Sequence, residues 1–125
     1  VTGEIRSYDH SKALEYVKNT EKIFAEEADK AGATAEVTHQ VHLVAYETPA
    51  ESRTVKDFLK ACEKTGLPGT LTETFGGSDN NSFAKHGIEG LVLSCGMYQA
   101  HSTNEYTKIK DLYDGAELIR TLIEL

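Results

Sequence analysis

No apolar run in this 125-residue chain approaches the ~18 residues that a membrane-spanning helix needs. No basic stretch followed by an apolar one opens it, so no secretory signal peptide is legible. Positive charge is scarce. Thirteen Lys and Arg face 20 Asp and Glu, for a net charge of -7 and a pI near 5.2. A dedicated phosphate-backbone binder carries a basic patch, so nucleic acid is excluded as the main partner, and a small molecule or another protein is favoured. Cysteine is limited to Cys62 and Cys95, far apart and in no CxxC pattern. Two such residues do not make a disulfide framework. Free core thiols and a reducing, cytoplasmic setting are expected. Several signatures are also missing. There is no GxSxG elbow, no HExxH or His-x-Asp metal motif, no Gly-Lys-Ser/Thr phosphate loop and no GxGxxG. Internal repeats and low-complexity segments are absent as well.

What is present suffices for a modest core. Apolar residues make up 39%, which excludes wholesale disorder, and the length is one domain's worth of chain at most. Thr2–Ser7 reads as a short strand. Asp9 is a good helix N-cap, because its carboxylate can accept orphan backbone N–H groups. Ala13, Val17, Thr20, Phe24, Ala28 and Ala31 then form one helical stripe, closed by Gly32. From Thr34 to Tyr46 the pattern alternates, with Ala35, Val37, Val41, Leu43 and Ala45 on one face. That period of two predicts a half-solvated strand. Thr48-Pro49-Ala50-Glu51 has the form of a capping box ahead of a helix striped by Val55, Phe58, Leu59 and Cys62 and ended by Gly66. Strands are expected over Thr70–Phe75 and Leu91–Leu93. A last helix is marked by Leu112, Ala116, Ile119, Leu122 and Ile123. The expected fold class is therefore α/β: a strand–helix–strand unit, then an alternating part with a largely parallel sheet. Thr48-Pro49 is the best boundary between the two.

In α/β sheets, chemistry collects on loops after strands. Two loops qualify. Gly76-Gly77-Ser78-Asp79-Asn80-Asn81 runs from a strand into a helix. Its glycines permit a sharp turn, and a helix N-terminus can hold an anion. The plainer reading is a turn that caps a helix. The second loop, Gly96–Tyr106, carries His101 among Ser, Thr, Asn and Gln residues. That imidazole can serve as a metal ligand or an acid/base, or be a solvated loop residue. His39 and His42 are three apart on an expected strand, so they face opposite ways and cannot share a metal. His39 falls in the apolar register, where it would pack or meet a partner. His86 is expected at a helix C-terminus, and His10 in an exposed first turn. Pattern alone assembles no complete catalytic apparatus. A hydrolytic metal site takes about three or four ligands and a base, and only His101 stands out.

The ordered motifs nevertheless resemble the C-terminal part of the co-catalytic zinc exopeptidases, the superfamily of peptidase T, aminoacylase, desuccinylases and glutamate carboxypeptidases. The peptidase T-like branch fits best. Three segments carry the resemblance: Gly3-Glu4-Ile5-Arg6-Ser7, Gly76–Phe83 with Gly87-Ile88, and Gly96-Met97 leading to His101-Ser102-Thr103-Asn104-Glu105-Tyr106. The resemblance implies that residues 1–47 form part of a ferredoxin-like lid (dimerisation) domain and 48–125 the closing part of a catalytic domain. It accounts for Val at position 1 in place of an initiator methionine, since full members are longer.

It also implies that His101 is a zinc ligand, one of those holding two zinc ions in an intact active site. Arg6 would hold the substrate's carboxylate, and Asn81 would touch substrate. Asn80 and Ser82 depart from the commoner residues of that loop. No catalytic residue is assigned, because the base and the other ligands of the family have no counterpart here. The expected function is that of a fragment of a zinc aminopeptidase acting on short peptides, itself inactive, with a homodimer through the lid domain as the expected assembly. Two alternatives stay open. One is an N-acyl amino acid deacylase or carboxypeptidase of the same superfamily. The other is a non-catalytic α/β module binding an anion or a protein partner. A nucleotide-binding domain is the weakest reading, for want of a phosphate-binding lysine.

Overall fold

The computed structural model describes residues 1–94 and 96–125. Four helices follow in chain order: α1 (His10–Lys30), α2 (Arg53–Thr65), α3 (Asp79–Lys85) and α4 (Ile109–Ile123). The chain folds as two compact units. The first comprises Val1–Tyr46 and Thr74–His86, and the second Glu47–Glu73 and Gly87–Leu125. No helix among the described residues is long and apolar enough to cross a membrane.

The expected α/β class is not what forms. Helix accounts for 45% of the chain and strand for 2%, with no sheet among the described residues. Neither the strand–helix–strand lid nor the parallel sheet of the second part is present among the described residues. The stretches read as strands, 2–7, 34–46, 70–75 and 91–93, have no regular secondary structure. The one bridge among the described residues is antiparallel and joins Tyr98 to Tyr106. The physical reason lies in what alternation encodes. It marks which face a strand would bury, but a strand exists only through the hydrogen bonds of a neighbouring strand. Val37, Val41 and Leu43, the expected inward face, stay 37%, 51% and 45% exposed.

In the first unit, α1 begins where its cap dictates. The Asp9 carboxylate accepts from the Lys12 N–H at 3.1 Å, and Gly32 follows the helix at a φ of 67°. None of its residues is buried. His39, outside any strand, sets Nδ1 2.8 Å from a Glu21 carboxylate oxygen on α1.

The second unit holds the core. Helix α2 packs on α4, and Ala61, Cys62 and Leu118 form a buried cluster with Phe58, Leu67, Leu93 and Leu122 against it. Val55, in the first turn of α2, is 1% exposed. Burial pushes the Cys62 thiol pKa up, as expected for an inert core thiol. Cys95, the other expected core thiol, lies outside the described residues. Two details depart from the sequence reading. The cap of α2 is Ser52, whose hydroxyl accepts from the Val55 N–H at 3.3 Å. Thr48 instead donates to the Gly90 carbonyl at 2.7 Å, and Pro49 closes a turn by accepting from the Ser52 N–H. On α4 the buried positions are Leu118 and Thr121, whereas Ile119 and Ile123 are exposed. That helix carries apolar residues on more than one face, and contact with α2 selects among them.

Gly66 closes α2 in the left-handed region at a φ of 69°. The Leu67 N–H then reaches back to the Cys62 carbonyl at 3.0 Å, satisfying one of the orphan carbonyls of the last turn. A Cβ at this φ costs roughly 1–2 kcal/mol. We therefore expect Gly66→Ala to lower stability by about 1 kcal/mol. Gly3→Ala, with no atom within 4 Å of the added carbon, should stay within about 0.5 kcal/mol of the parent. Urea midpoints followed by far-UV circular dichroism check this, and equal midpoints for the two variants would contradict the left-handed cap.

Candidate functional site

Two of the three residues singled out in the sequence, Arg6 and Asn81, lie in the first unit, and His101 lies in the second. Each set is built differently.

In the first unit, the Gly3–Ser7 segment docks on the residues just before the Gly76–Asn81 loop. The Arg6 guanidinium donates through Nη1 to the Phe75 carbonyl at 2.5 Å and through Nε to a Glu4 carboxylate oxygen at 2.8 Å. Two residues on, the Tyr8 ring stacks on Phe75 with centroids 4.1 Å apart and planes at 24°. Ser7 then accepts from the Asp9 N–H at 3.1 Å, which ties the motif to the start of α1. Arg6 thus sits where a backbone carbonyl and a carboxylate share its fork, and its side chain remains 46% exposed.

Asn81 is partly buried, and both ends of its amide are engaged. Oδ1 accepts from the Ser78 N–H at 2.9 Å, the reciprocal half of a capping box on α3. Nδ2 donates to the Val44 carbonyl at 2.9 Å. Gly77 makes this docking possible, because an added Cβ would overlap the Leu43 side chain. The loop is therefore sealed onto 43–44 by a missing side chain and by one amide. An asparagine amide has two donors and two acceptor lone pairs, so each end keeps one further bonding position.

In the second unit, His101 sits at the turn of a hairpin. Tyr98 and Tyr106 exchange backbone bonds at 2.9 and 3.2 Å, and their rings stack with centroids 4.8 Å apart. The Lys108 ammonium lies 4.7 Å from the Tyr98 ring centroid. A hydrogen bond to Tyr98, then its charge, holds the lysine pKa above its ordinary value. Inside the loop, Gln99 and His101 adopt φ values of 53° and 65°, the non-glycine residues in the left-handed region among the described residues. Such a backbone costs about 1–3 kcal/mol per residue unless its surroundings hold it. Here the His101 N–H donates to a Glu105 carboxylate oxygen at 2.7 Å. The Ser102 N–H donates to the Gln99 carbonyl and the Glu105 N–H to the Ser102 carbonyl, both at 3.2 Å.

The imidazole of His101 is exposed and able to bind a metal when neutral. Among the described residues, no group of three or more His, Cys, Asp or Glu could hold a metal ion. A hydrolytic zinc centre needs about three protein ligands, so these residues alone do not fit one. Sequence reasoning missed Glu105 and the Tyr98–Tyr106 pair. The available signal was two tyrosines flanking a polar loop, with an acid directly before the second.

Residues 4–125 match the family model described as Peptidase family M20/M25/M40. The uncharacterized protein YqjE of Bacillus subtilis (strain 168) is 33% identical over 124 residues, covering 99% of this chain and 33% of that protein. The crystal structure of aminopeptidase PepT from Bacillus cereus ATCC 10987 is similar with a TM-score of 0.78 at 31% identity. That match covers 91% of this chain and 31% of the other. The chain thus spans about a third of the length of these relatives.

The two bonds of Asn81 generate an expectation. Asn81→Asp keeps an acceptor for Ser78 but sets a carboxylate oxygen against the Val44 carbonyl, with the donor lost. Stability should fall by about 1–3 kcal/mol, whereas Asn104→Asp on the exposed hairpin should change it little. Thermal melts of the two variants make the comparison, and an unaffected Asn81→Asp would mean that the loop is held some other way.

Proposed function

The chain belongs to Peptidase family M20/M25/M40, and from that premise we propose that it is a segment of a zinc-dependent aminopeptidase acting on short peptides, of the peptidase T-like kind. The observation that carries this reading is the likeness to aminopeptidase PepT over 91% of the chain at 31% identity. The family match over residues 4–125 supports it independently.

In this reading His101 would be one ligand of a zinc site completed by residues outside this chain, and the chemistry supplied there would be carbonyl polarisation and water activation. Because the described residues do not complete a zinc site, the other ligands and the general base come from elsewhere in the longer protein. What this chain does is bind and orient. Arg6 would grip the substrate's carboxylate, for which a planar fork with two parallel N–H donors is suited. Glu4, which now holds one of those donors, would release it. Asn81 would offer its remaining donor and acceptor to the peptide while its bonds to Ser78 and Val44 keep it in place.

Three outcomes are expected. The 125-residue chain alone should hydrolyse no tripeptide. Calorimetry should give zinc binding that is weak and lost in His101→Ala, far short of the ~10–16 kcal/mol of a full structural site. In the longer protein, His101→Ala should lower kcat/KM on a tripeptide by more than the 10–100-fold typical of an outer-shell change. Tripeptidase activity that survives His101→Ala would overturn the assignment. Turnover of N-acyl amino acids in place of tripeptides would keep the family and change the reaction. Tight stoichiometric zinc binding by the short chain would make it a metal site in its own right.

A further inference from the structure

We propose that the stacked rings of Tyr8 and Phe75 form an apolar subsite beside Arg6, selecting peptides whose last residue carries a large apolar side chain next to its free carboxylate. The inference rests on the reading of Arg6 as the group that holds the substrate's carboxylate, and it adds which substrates that arginine serves.

The cation and the rings meet at residue 75. The Arg6 guanidinium donates through Nη1 to the Phe75 carbonyl at 2.5 Å, and the Phe75 ring stacks on Tyr8 with centroids 4.1 Å apart. Arg6 and Tyr8 are two apart and precede the first turn of α1. That spacing sets alternate side chains of an extended segment on one side. All three residues belong to the first unit.

Holding the segment down does not use up the stack. Each ring gives one face to the other, yet Tyr8 remains 51% and Phe75 53% exposed. Single exposed apolar residues are ordinary on a protein surface. Two in contact, next to a guanidinium whose five donors are not all engaged by Glu4 and Phe75, make a cation with an apolar wall.

That pairing matches one feature of a peptide. In its last residue, the carboxylate and the side chain leave the same Cα. A carboxylate on the Arg6 fork therefore brings the side chain close to residue 75. The hydrogen of a terminal glycine covers nothing there. A Leu or Phe side chain covers ring surface that otherwise faces water, and the gain grows with the apolar area removed. An aromatic side chain adds the offset or edge-to-face contact that rings prefer. Arg6 selects the free carboxylate, and the ring pair selects what stands beside it.

The test uses the longer protein and tripeptides that differ only in the last residue, Gly, Leu or Phe. The parent should favour Leu and Phe over Gly by about tenfold or more in kcat/KM. The difference should lie chiefly in KM, as for a contact made equally before and during reaction. Tyr8→Ala should narrow the preference to about threefold or less, and Tyr8→Phe, which keeps the ring, should retain it. Phe75→Leu provides a second variant and should cost the Phe-terminated peptide more than the Leu-terminated one. Tyr16→Ala removes an exposed ring of α1 and should leave the ratio where it is, which separates the subsite from a general loss of fold. A parent indifferent to the last side chain, or a preference that survives both Tyr8→Ala and Phe75→Leu, would overturn the inference. The same peptides amidated at the C-terminus test the reading beneath it. Arg6→Ala should abolish discrimination between acid and amide, and discrimination that persists would overturn the role of Arg6 itself.

Discussion

Everything in the second unit hangs on the contact between α2 and α4. At its centre Ala61 is fully buried, with Cys62 and Leu118 beside it. Small residues let two helices approach closely, and each large apolar side chain buried there contributes about 1.5–3 kcal/mol. Leu93 packs against this cluster from the segment that leads into the hairpin, and α4 begins three residues after the hairpin ends. The His101 loop is therefore delivered between two fixed points. Threonines of the α2 region reinforce the first of them. Thr48 bonds the Gly90 carbonyl and Thr54 the Glu89 carboxylate, and the Thr54 bond is the main cause holding the Glu89 carboxyl below its usual range. Core packing and presentation of the imidazole are thus parts of one construction.

The two units place their candidate side chains by different means. In the second, a paired-tyrosine bridge closes the loop, and a carboxylate pins one strained residue inside it. Strain of that kind persists only where the surroundings over-determine it, so a left-handed histidine implies a stiff loop. In the first, Arg6 is long, half exposed and fastened at its tip. A charged head on a flexible stem can exchange partners without moving the backbone. The proposed substrate contact would draw on that freedom, whereas the His101 backbone is held in one conformation.

Much of this was legible in sequence, and the failures share one cause. Asp9, Gly32 and Gly66 mark helix ends where they were expected, because capping is local chemistry that neighbouring residues decide. Of the α2 stripe, Val55, Phe58 and Cys62 face the core as their period predicts, whereas Leu59 stays 38% exposed. The absence of a sheet was not legible. Alternation at 34–46 assigns residues to faces, but whether a ladder forms depends on segments distant in the chain. The apolar residues of α4 likewise admitted several faces, and α2 chose Leu118 over Ile119. The His101 loop was found from its polarity and resemblance. Its left-handed backbone and its tie to Glu105 were not, because φ at a non-glycine residue leaves no compositional trace.

The bonds already made by Arg6 bear on how it could take a substrate. Glu4 and Arg6 are two apart, the spacing that places alternate side chains of an extended segment on one side, so the pair forms without any tertiary fold. Both side chains are well exposed, Arg6 at 46% and Glu4 at 66%. An ion pair in such surroundings contributes only about 0–1 kcal/mol. A peptide carboxylate that engaged the fork with two parallel bonds would gain more than that. The bond from Nη1 to the Phe75 carbonyl need not be surrendered in the exchange, since the guanidinium carries five N–H donors. The structure thus keeps the arginine aimed by a neutral acceptor and occupied by a weak charged one. In the proposed role, a substrate carboxylate would displace Glu4 only by offering the fork better geometry than this exposed pair does.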